Sequence, residues 1–173
     1  MITAAPRHPL EPDWTVWQPK ERAVLCFIVS EGRVLLIHKK RGLGAGKVNA
    51  PGGKIEPGES EPAAAVRETM EEVGVTPHRP RPRGELHFQF TDGYSLHCTV
   101  FVADGCTGEP IETDEATPFW RPVDEIPYGE MWEDDRHWLP QMLRGQRIIA
   151  WFTFDHETML TKQVESREEP VAP

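Results

Sequence analysis

The chain has 173 residues, of which 38% are hydrophobic and 27% are charged, and its formal net charge is −9. This size and composition predict one globular domain with its own core, and no apolar run approaches the ~20 residues that cross a bilayer. The net charge of −9 argues against binding of nucleic acid polymers, which need a basic surface, but it is compatible with a small phosphorylated ligand if a metal cation separates the negative groups.

The two ends of the chain differ from its middle. The first 20 residues are rich in proline and lack the apolar stretch of a secretory signal, so we expect an irregular arm at 1–20. Trp14 and Trp17 of this arm are candidates for packing on the body. The last ten residues are expected to fray, with a flexible tail at 166–173. One domain is therefore expected over 21–165.

The cysteines indicate a reducing compartment. They are odd in number and lack the paired spacing of a zinc site, so they are expected to be free thiols in a cytoplasmic protein. They are Cys26, Cys98 and Cys106.

Apolar runs and turn residues predict the first elements. "AVLCFIV" and "RVLLIHK", separated by "SEG", predict a strand hairpin at Ala23–Val29 and Arg33–Lys39. The segment "KRGLGAGKVNAPGG" is a loop by its glycine content. Ser60 can cap a helix that runs through "AAAVRETMEEV" and ends at Gly74.

The second half of the chain also contains predicted strands and a helix. "GELHFQF" and "YSLHCTVFV" predict two more strands and are followed by the segment "TPFWRPV". A helix is expected from about Asp134 to Arg144, and "QRIIAWFTF" predicts a further strand. Strands interleaved with two helices predict an α/β fold in which a mixed β-sheet has helices packed on its faces.

The first predicted helix carries three carboxylates on one side, at Glu68, Glu71 and Glu72, because ~100° per residue brings them into a narrow arc. Glu68 and Glu72 repel each other at i,i+4, and the helix dipole disfavours acids near a C-terminus. The spacing alone leaves two interpretations, a solvated acidic face or a site for Mg²⁺ or Mn²⁺, which prefer oxygen ligands. The apolar surface of this helix is expected from Ala64, Ala65, Val66, Met70 and Val73.

Glycines and polar residues stand at characteristic spacings around this helix, at Gly53, Glu59, Arg67, Glu68, Glu71, Glu72 and Gly74. This pattern resembles the Nudix box, the motif of the Nudix hydrolases. One departure is Thr69, which stands at a position that is usually aliphatic. The resemblance implies the Nudix fold, an α/β/α sandwich with a mixed β-sheet and a loop–helix–loop box.

The same resemblance implies roles for the box residues. Glu68, Glu71 and Glu72 are expected to bind Mg²⁺ or Mn²⁺, and the turn at Gly52 is expected to bring a backbone carbonyl to the same ions. An ion pair between Arg67 and Glu59 is expected to tie the loop to the helix and orient the carboxylates. The implied reaction is attack of water on a phosphoanhydride, with Glu71 and Glu72 as leading candidates for the general base.

Two further stretches narrow the substrate. "KKRGLGAGKVNAPGGK" and "MWEDDRHWLPQML" resemble the MutT-like members of the family, the 8-oxo-dGTP diphosphatases, and this likeness spans about Arg22 to Val164. It implies a monomer that converts oxidised purine nucleoside triphosphates to monophosphate and pyrophosphate and so sanitises the nucleotide pool. The implied contacts are Asn49 to the purine, Trp132 stacked on the base, Asp134 and Asp135 at its edge, Phe88 and Leu96 on the opposite wall, Lys39 near the sugar and phosphates, and Glu115 as an additional acid near the metals.

Simpler interpretations of these residues stay open on the sequence alone. Asp134 and Asp135 also suit the capped N-terminus of a helix, while Trp132 and Phe88 suit a core. Lys39 suits a solvated strand end. If the two aspartates share an apolar cleft, they cannot easily both ionise, so one is expected to stay protonated and to donate a hydrogen bond.

Three departures weaken the prediction of selectivity for oxidised over normal purines. Leu43, Val48 and Pro51 stand where the mammalian members of this group have aromatic residues. Rival predictions are therefore a Nudix hydrolase for ADP-ribose, a dinucleoside polyphosphate or a canonical dNTP, and a catalytically silent Nudix-like binding module.

Overall fold

The computed structural model describes residues 8–169, which build a nine-stranded sheet, a separate two-stranded sheet and two α-helices. The strands are β1 (Glu21–Ser30), β2 (Arg33–Lys39), β3 (Val48–Asn49), β4 (Gly52–Lys54), β5 (Thr76–Pro77), β6 (Arg81–Phe90), β7 (Ser95–Ala103), β8 (Cys106–Thr107), β9 (Ala116–Pro122), β10 (Gln146–Asp155) and β11 (Thr158–Glu168). The helices are α1 (Glu61–Val73) and α2 (Asp135–Leu143), and Tyr128–Glu130 forms one 3₁₀ turn.

The large sheet is mixed, as predicted. Its order is β11-β10-β6-β7-β1-β2-β3, with β4 paired to β1 and β9 paired to β2, while β5 and β8 form the small sheet. β1 lies parallel to β7, with Ala23 beside Cys98. β10 lies parallel to β6, with Ile148 beside Gly84. The other pairs are antiparallel.

The predicted hairpin and the predicted limits of α1 are confirmed. Glu31 and Gly32, between β1 and β2, both have positive φ (52° and 74°), as a two-residue hairpin turn requires. Ser60 caps α1, because its side chain accepts a hydrogen bond of 3.3 Å from the Ala63 N–H. Gly74 ends the helix in the left-handed conformation, with φ of 75°.

The helices cover opposite faces of the sheet, which makes the α/β/α sandwich. The core under α1 includes Ala64, Ala65, Val73, Val24, Cys26, Ile28 and Phe101. The core under α2 includes Trp138, Leu139, Met142, Phe27, Leu86, Val100 and Ile148. Burial of these apolar faces on both sides of one sheet is the main stabilising contribution to the fold.

The buried side of α1 differs from the expectation at one residue. Met70 is 45% exposed, so its predicted place in the apolar surface is wrong. Thr69 is fully buried instead, and its hydroxyl donates to the Ala65 carbonyl at 2.7 Å. A buried hydroxyl needs such a partner, and this bond inside the helix lets a polar residue occupy a position that is usually aliphatic.

The N-terminal arm packs on the sheet through its tryptophans. The described part of the arm contains no helix or strand. Trp17 lies against His87, with ring centroids 5.5 Å apart, and its indole N–H donates to Gln89 at 2.9 Å. Trp14 packs edge-on against Trp17. Residues 1–7 of the predicted arm lie outside the described residues.

The C-terminal part of the chain was predicted less well. Fraying was expected over the last ten residues, yet β11 continues to Glu168, which pairs with Gln146 of β10, so the expectation is wrong for residues 164–168. Residues 170–173 lie outside the described range.

The predicted glycine-rich loop also contains two short strands, because β3 pairs with β2 and β4 pairs with β1. The segment "TPFWRPV" lies largely in β9, paired with β2.

Two expectations from composition concern thiols and membranes. All three cysteines are free, and two of them, Cys26 and Cys98, are buried. Among residues 8–169, no helix has both the length and the apolar character needed to cross a bilayer.

Candidate active site

The turn at β4 meets the acidic side of α1 at very close range. A Cβ atom at Gly53 would lie 2.3 Å from the carboxyl carbon of Glu68, so only glycine leaves room for this carboxylate. Gly52 is equally restricted, because a Cβ there would lie 2.2 Å from the Val24 carbonyl oxygen. Gly53 therefore lets β4 approach the Glu68 carboxylate, and Gly52 lets the same strand lie close against β1.

Arg67 neutralises part of this acidic cluster. Its guanidinium contacts both oxygens of Glu59, with Nε–Oε2 at 2.6 Å and Nη2–Oε1 at 2.8 Å. It also donates to Glu68 at 2.8 Å and to Glu71 at 3.2 Å. A further bond to the Lys54 carbonyl, at 3.0 Å, fixes the guanidinium to β4. The bonds from Arg67 hold the pKa of Glu59 well below its usual range, at about 2.

Glu72 is the most deeply placed carboxylate of the cluster, at 4% exposure. Its Oε1 accepts a long bond of 3.4 Å from the Gly52 N–H, and its Oε2 has no hydrogen-bond partner among the described residues. Burial raises the pKa of Glu72 to about 8, and the neighbouring charges of Glu68 and Glu115 add to this effect. Burial also raises the pKa of Glu68.

This donor set fits a divalent cation. A buried carboxylate oxygen without a partner is costly unless a cation or donor satisfies it. The oxygens of Glu68 and Glu72 are hard donors with no nitrogen or sulfur ligand among them, which is the preference of Mg²⁺ and similar ions. Glu71 lies at the outer side of the cluster, with its side chain 51% exposed.

One cleft of about 1160 Å³ connects this cluster to the start of α2. All seven predicted substrate residues and four of the predicted metal ligands line it, namely Lys39, Asn49, Phe88, Leu96, Trp132, Asp134, Asp135, Gly52, Glu68, Glu72 and Glu115. Glu115 also forms an ion pair of 2.7 Å with Arg41. Glu71, Arg67 and Glu59 are outside the cleft lining, and Arg67 connects Glu59 and Glu71 to Glu68.

Two buried aspartates face the far end of the cleft. Asp134 stands at the N-cap position of α2, but its side chain makes no capping bond and instead accepts from the Trp138 indole N–H at 2.9 Å. The capping interpretation of Asp134 is therefore wrong. Asp134 Oδ1 and Asp135 Oδ2 are buried and have no partner within the described part of the chain. Burial raises the pKa of Asp134 to about 6 and that of Asp135 well above its usual value.

Trp132 forms the wall beside the aspartates. Phe90 and Phe154 pack edge-on against its ring, at 6.2 and 5.5 Å between centroids. The Lys47 ammonium lies 5.4 Å from the centre of the indole. Gly44 approaches the same ring, because a Cβ there would lie 2.7 Å from the indole nitrogen. The indole is thus held in place by two nearly perpendicular rings and by the glycine-rich loop.

The comparison with known families agrees with this geometry. Residues 19–142 match the NUDIX domain. The chain belongs to the Nudix hydrolase family. Members of this family use divalent metal ions, in agreement with the carboxylate cluster.

Nudix relatives with assigned names cover most of the chain. It is 41% identical to the oxidized purine nucleoside triphosphate hydrolase of Danio rerio over 149 residues, which are 84% of this chain and 94% of the relative. It is 37% identical to the protein of the same name from Mus musculus, over 79% of this chain and 89% of the relative. The crystal structure of the MutT protein from Bacillus halodurans superposes with a TM-score of 0.74 and 27% identity, covering 84% of this chain and 97% of that one.

Some residues of the Nudix cleft were not singled out from the sequence. Tyr94 on the wall is one. Lys47, which lies over the Trp132 ring, was not singled out either. His156 and Glu157 at the mouth lie in the turn between β10 and β11. No local signal identifies that turn as part of a cleft, because its position depends on a hairpin whose second strand was not predicted.

Proposed function

We propose that the protein is a Mg²⁺-dependent pyrophosphohydrolase that converts oxidised purine (deoxy)nucleoside triphosphates, such as 8-oxo-dGTP and 2-oxo-dATP, to the monophosphate and pyrophosphate. Its role would be to sanitise the nucleotide pool. The observation that carries this proposal is the single cleft that joins the acidic cluster of α1 to Trp132, Asp134 and Asp135. The names of the relatives from Danio rerio and Mus musculus support the same substrate class.

The phosphate end is the α1 side of the cleft. Glu68, Glu71 and Glu72 would hold the metal, and the all-oxygen ligand set favours Mg²⁺, with Mn²⁺ as a substitute. Bound there, the metal neutralises phosphate charge and lowers the pKa of a water molecule. Lys39 lies on the same wall and supplies a positive charge for the phosphates. Arg67 keeps Glu68 and Glu71 oriented through its fixed contacts with Glu59 and β4.

Glu71 is our choice for the proton acceptor. Its side chain is 51% exposed, whereas that of Glu68 is 13% exposed and the whole of Glu72 is 4% exposed, so water reaches Glu71 most easily. Arg67 contacts only its Oε2, at 3.2 Å, which leaves Oε1 to accept a proton from the attacking water.

The base end combines stacking with a fixed pattern of donors and acceptors. Trp132 offers an indole face, and stacking of a base on an aromatic ring contributes about 1–3 kcal/mol. Asp134 accepts from Trp138 and suits the ionised form, while the raised pKa of Asp135 keeps it protonated as a donor. Asn49 accepts from the Ala50 N–H with its side-chain oxygen, at 2.8 Å, so its NH₂ group remains to donate. A pair that shares one proton can match both 8-oxo-guanine and 2-oxo-adenine.

A turnover screen with product identification tests this function. We expect pyrophosphate and monophosphate as products, and a preference of about tenfold or more for 8-oxo-dGTP or 2-oxo-dATP over dGTP, dATP and ADP-ribose. The Glu71→Gln variant serves as the inactive reference. Faster cleavage of ADP-ribose or of a canonical dNTP would overturn the proposed preference for oxidised purine nucleotides. A wild type that is inert with every nucleotide would favour a silent binding module.

The proposal also includes the oligomeric state of the protein and its location in the cell. We propose a monomer in the cytoplasm that handles free nucleotides, and light scattering of the purified chain together with cell fractionation tests both parts.

The Gly53→Ala substitution tests whether the close approach of β4 to Glu68 positions the metal. The new methyl group would overlap the Glu68 carboxylate, so the carboxylate must move, and a displacement of about 1 Å in an active site costs about a hundredfold in kcat/KM. We expect this loss together with weaker Mg²⁺ binding in calorimetry. Gly129→Ala is the matched control, because a Cβ at that position has no neighbour within 4 Å. Equal losses in the two variants would contradict a positioning role for Gly53.

A further inference from the structure

A group of side chains of the types that bind metals, two histidines and a glutamate, lies on the far side of the sheet from the cleft. Side chains alternate along a strand, and Leu86 and Phe88 of β6 line the cleft. Glu85 and His87 therefore point to the opposite face. On β7, His97 lies between two cleft residues and points the same way.

Strand register brings these three side chains together. His87 and His97 are directly paired across β6 and β7, and their ring centroids are 5.0 Å apart. Glu85 precedes His87 by two residues on the same face. One ligand atom from each of the three residues lies within 4.8 Å of the others. Two ligands at i and i+2 with a third on the neighbouring strand form a triangle that one ion can bridge.

The hydrogen bonds leave the ligand atoms available. The Nδ1 of His87 lies 2.9 Å from the Ala150 carbonyl, which can only accept, so Nδ1 carries the proton and Nε2 has a lone pair. This is the arrangement that orients a metal-binding imidazole. The Nδ1 of His97 is buried and has no partner within residues 8–169. The Glu85 carboxylate makes no hydrogen bond or ion pair with a side chain in that range.

Two indoles enclose His87. Trp151 stacks on its ring at 5.4 Å with planes 13° apart, and Trp17 of the arm contacts it edge-on at 5.5 Å. The hydrogen bond from Trp17 to Gln89 holds the N-terminal arm over His87. The imidazole is therefore fixed in orientation and partly shielded from water, which favours binding by a small ion over binding by a larger ligand.

We propose that Glu85, His87 and His97 form a second metal site, separate from the acidic cluster, which takes a transition-metal ion of the Zn²⁺ class. Two imidazoles and a carboxylate are a common ligand set for Zn²⁺ and leave a fourth position for water. Mg²⁺ is disfavoured, because it prefers oxygen ligands. Arg22, beside His97 on β1, places a positive charge nearby, and the Glu85 carboxylate offsets it. A bound ion would link β6 to β7 beneath the N-terminal arm.

Zn²⁺ titration of the chelator-treated full chain in excess Mg²⁺ tests the proposal. We expect one Zn²⁺ site by calorimetry, weakened by about tenfold or more in His87→Gln and in His97→Gln. His78→Gln, which removes an exposed imidazole elsewhere, should bind like wild type. Glu72→Gln should also keep the site, which separates it from the acidic cluster. Mg²⁺-dependent turnover should be unchanged in the two histidine variants, because neither residue lines the cleft.

A second measurement uses the wild type alone. Nitrogen-detected NMR of the imidazoles should show Zn²⁺ shifting the signals of two of the seven histidines, even if a variant folds poorly. Ni²⁺ should quench tryptophan fluorescence, since Trp17 and Trp151 contact His87. Unchanged imidazole signals, or Zn²⁺ binding that is lost in Glu72→Gln and kept in the histidine variants, would overturn the proposal.

Discussion

Glu72→Gln is expected to lower kcat for pyrophosphate release by about a thousandfold, because a metal that loses a charged ligand gives up several kcal/mol of charge stabilisation in the transition state. Glu72 is almost fully buried, and no described residue satisfies its Oε2. The measurement is steady-state turnover with Mg²⁺ varied to saturation, to separate loss of affinity from loss of rate.

The same substitution should stabilise the metal-free protein at alkaline pH. Burial raises the pKa of Glu72 to about 8 in the folded state, against 4.5 for the free side chain. Between these values the folded state binds more protons than the unfolded state, so the stability of the metal-free wild type falls as pH rises through this window. Glutamine carries no charge and removes this dependence. We expect Glu72→Gln to be more stable by on the order of 1–3 kcal/mol near pH 9 without metal.

Thermal melts with and without Mg²⁺ check the predicted stability of the Glu72→Gln variant. Mg²⁺ should stabilise the wild type strongly and the variant weakly, because ligands that bind only the folded state raise its stability. Glu109→Gln, which removes an exposed carboxylate, is the matched control and should change neither turnover nor stability. Full activity in Glu72→Gln, or a metal-free variant that is less stable than wild type at pH 9, would contradict the assignment of Glu72.

Asp135→Asn is expected to remove the alkaline decline of kcat/KM for 8-oxo-dGTP. Burial and then the neighbouring Asp134 raise the pKa of Asp135, so its protonated, donating form is present below that pKa and is lost as pH rises through it. Asparagine keeps an N–H donor at every pH, so the variant should retain activity where the wild type declines.

Companion variants test Asp135 as the hydrogen-bond donor and Asp134 as the acceptor separately. Asp135→Ala should lose about a hundredfold in kcat/KM, since it leaves a buried polar group of the base without a partner. Asp134→Asn should lose at least as much, because it places a donor where an acceptor is needed. Glu130→Gln is the matched control, as this nearby carboxylate is exposed and lies outside the cleft wall. Identical pH profiles for the wild type and Asp135→Asn would rule out a donating Asp135.

The helix α1 and its caps were predictable because their determinants are local. Ser60, Gly74 and the spacing of the three glutamates depend only on residues within one or two turns. The exposure of Met70 was not predictable in this way. Helix periodicity defines a broad apolar face, but the packing of the sheet decides which edge of that face is covered, and here Thr69 is covered instead.

The strand β11 was missed for a similar reason. Its side chains are mostly exposed, so "TMLTKQVESRE" shows no clear alternation of apolar and polar residues. Its strand conformation comes from backbone pairing with β10 along its whole length. Without that hairpin, the sequence gives no reason to place His156 and Glu157 beside the glycine-rich loop.

The sequence by itself determined the family, the mixed α/β fold and the residues of the acidic helix, because motif spacing and helix periodicity are properties of short segments. Only the tertiary structure decided how deeply Glu72, Asp134 and Asp135 are buried, and therefore in which direction their pKa values shift. It also decided that Asp134 accepts from Trp138 instead of capping α2. Burial and strand register depend on residues far apart in the chain, and for that reason Glu85, His87 and His97 have no recognisable motif.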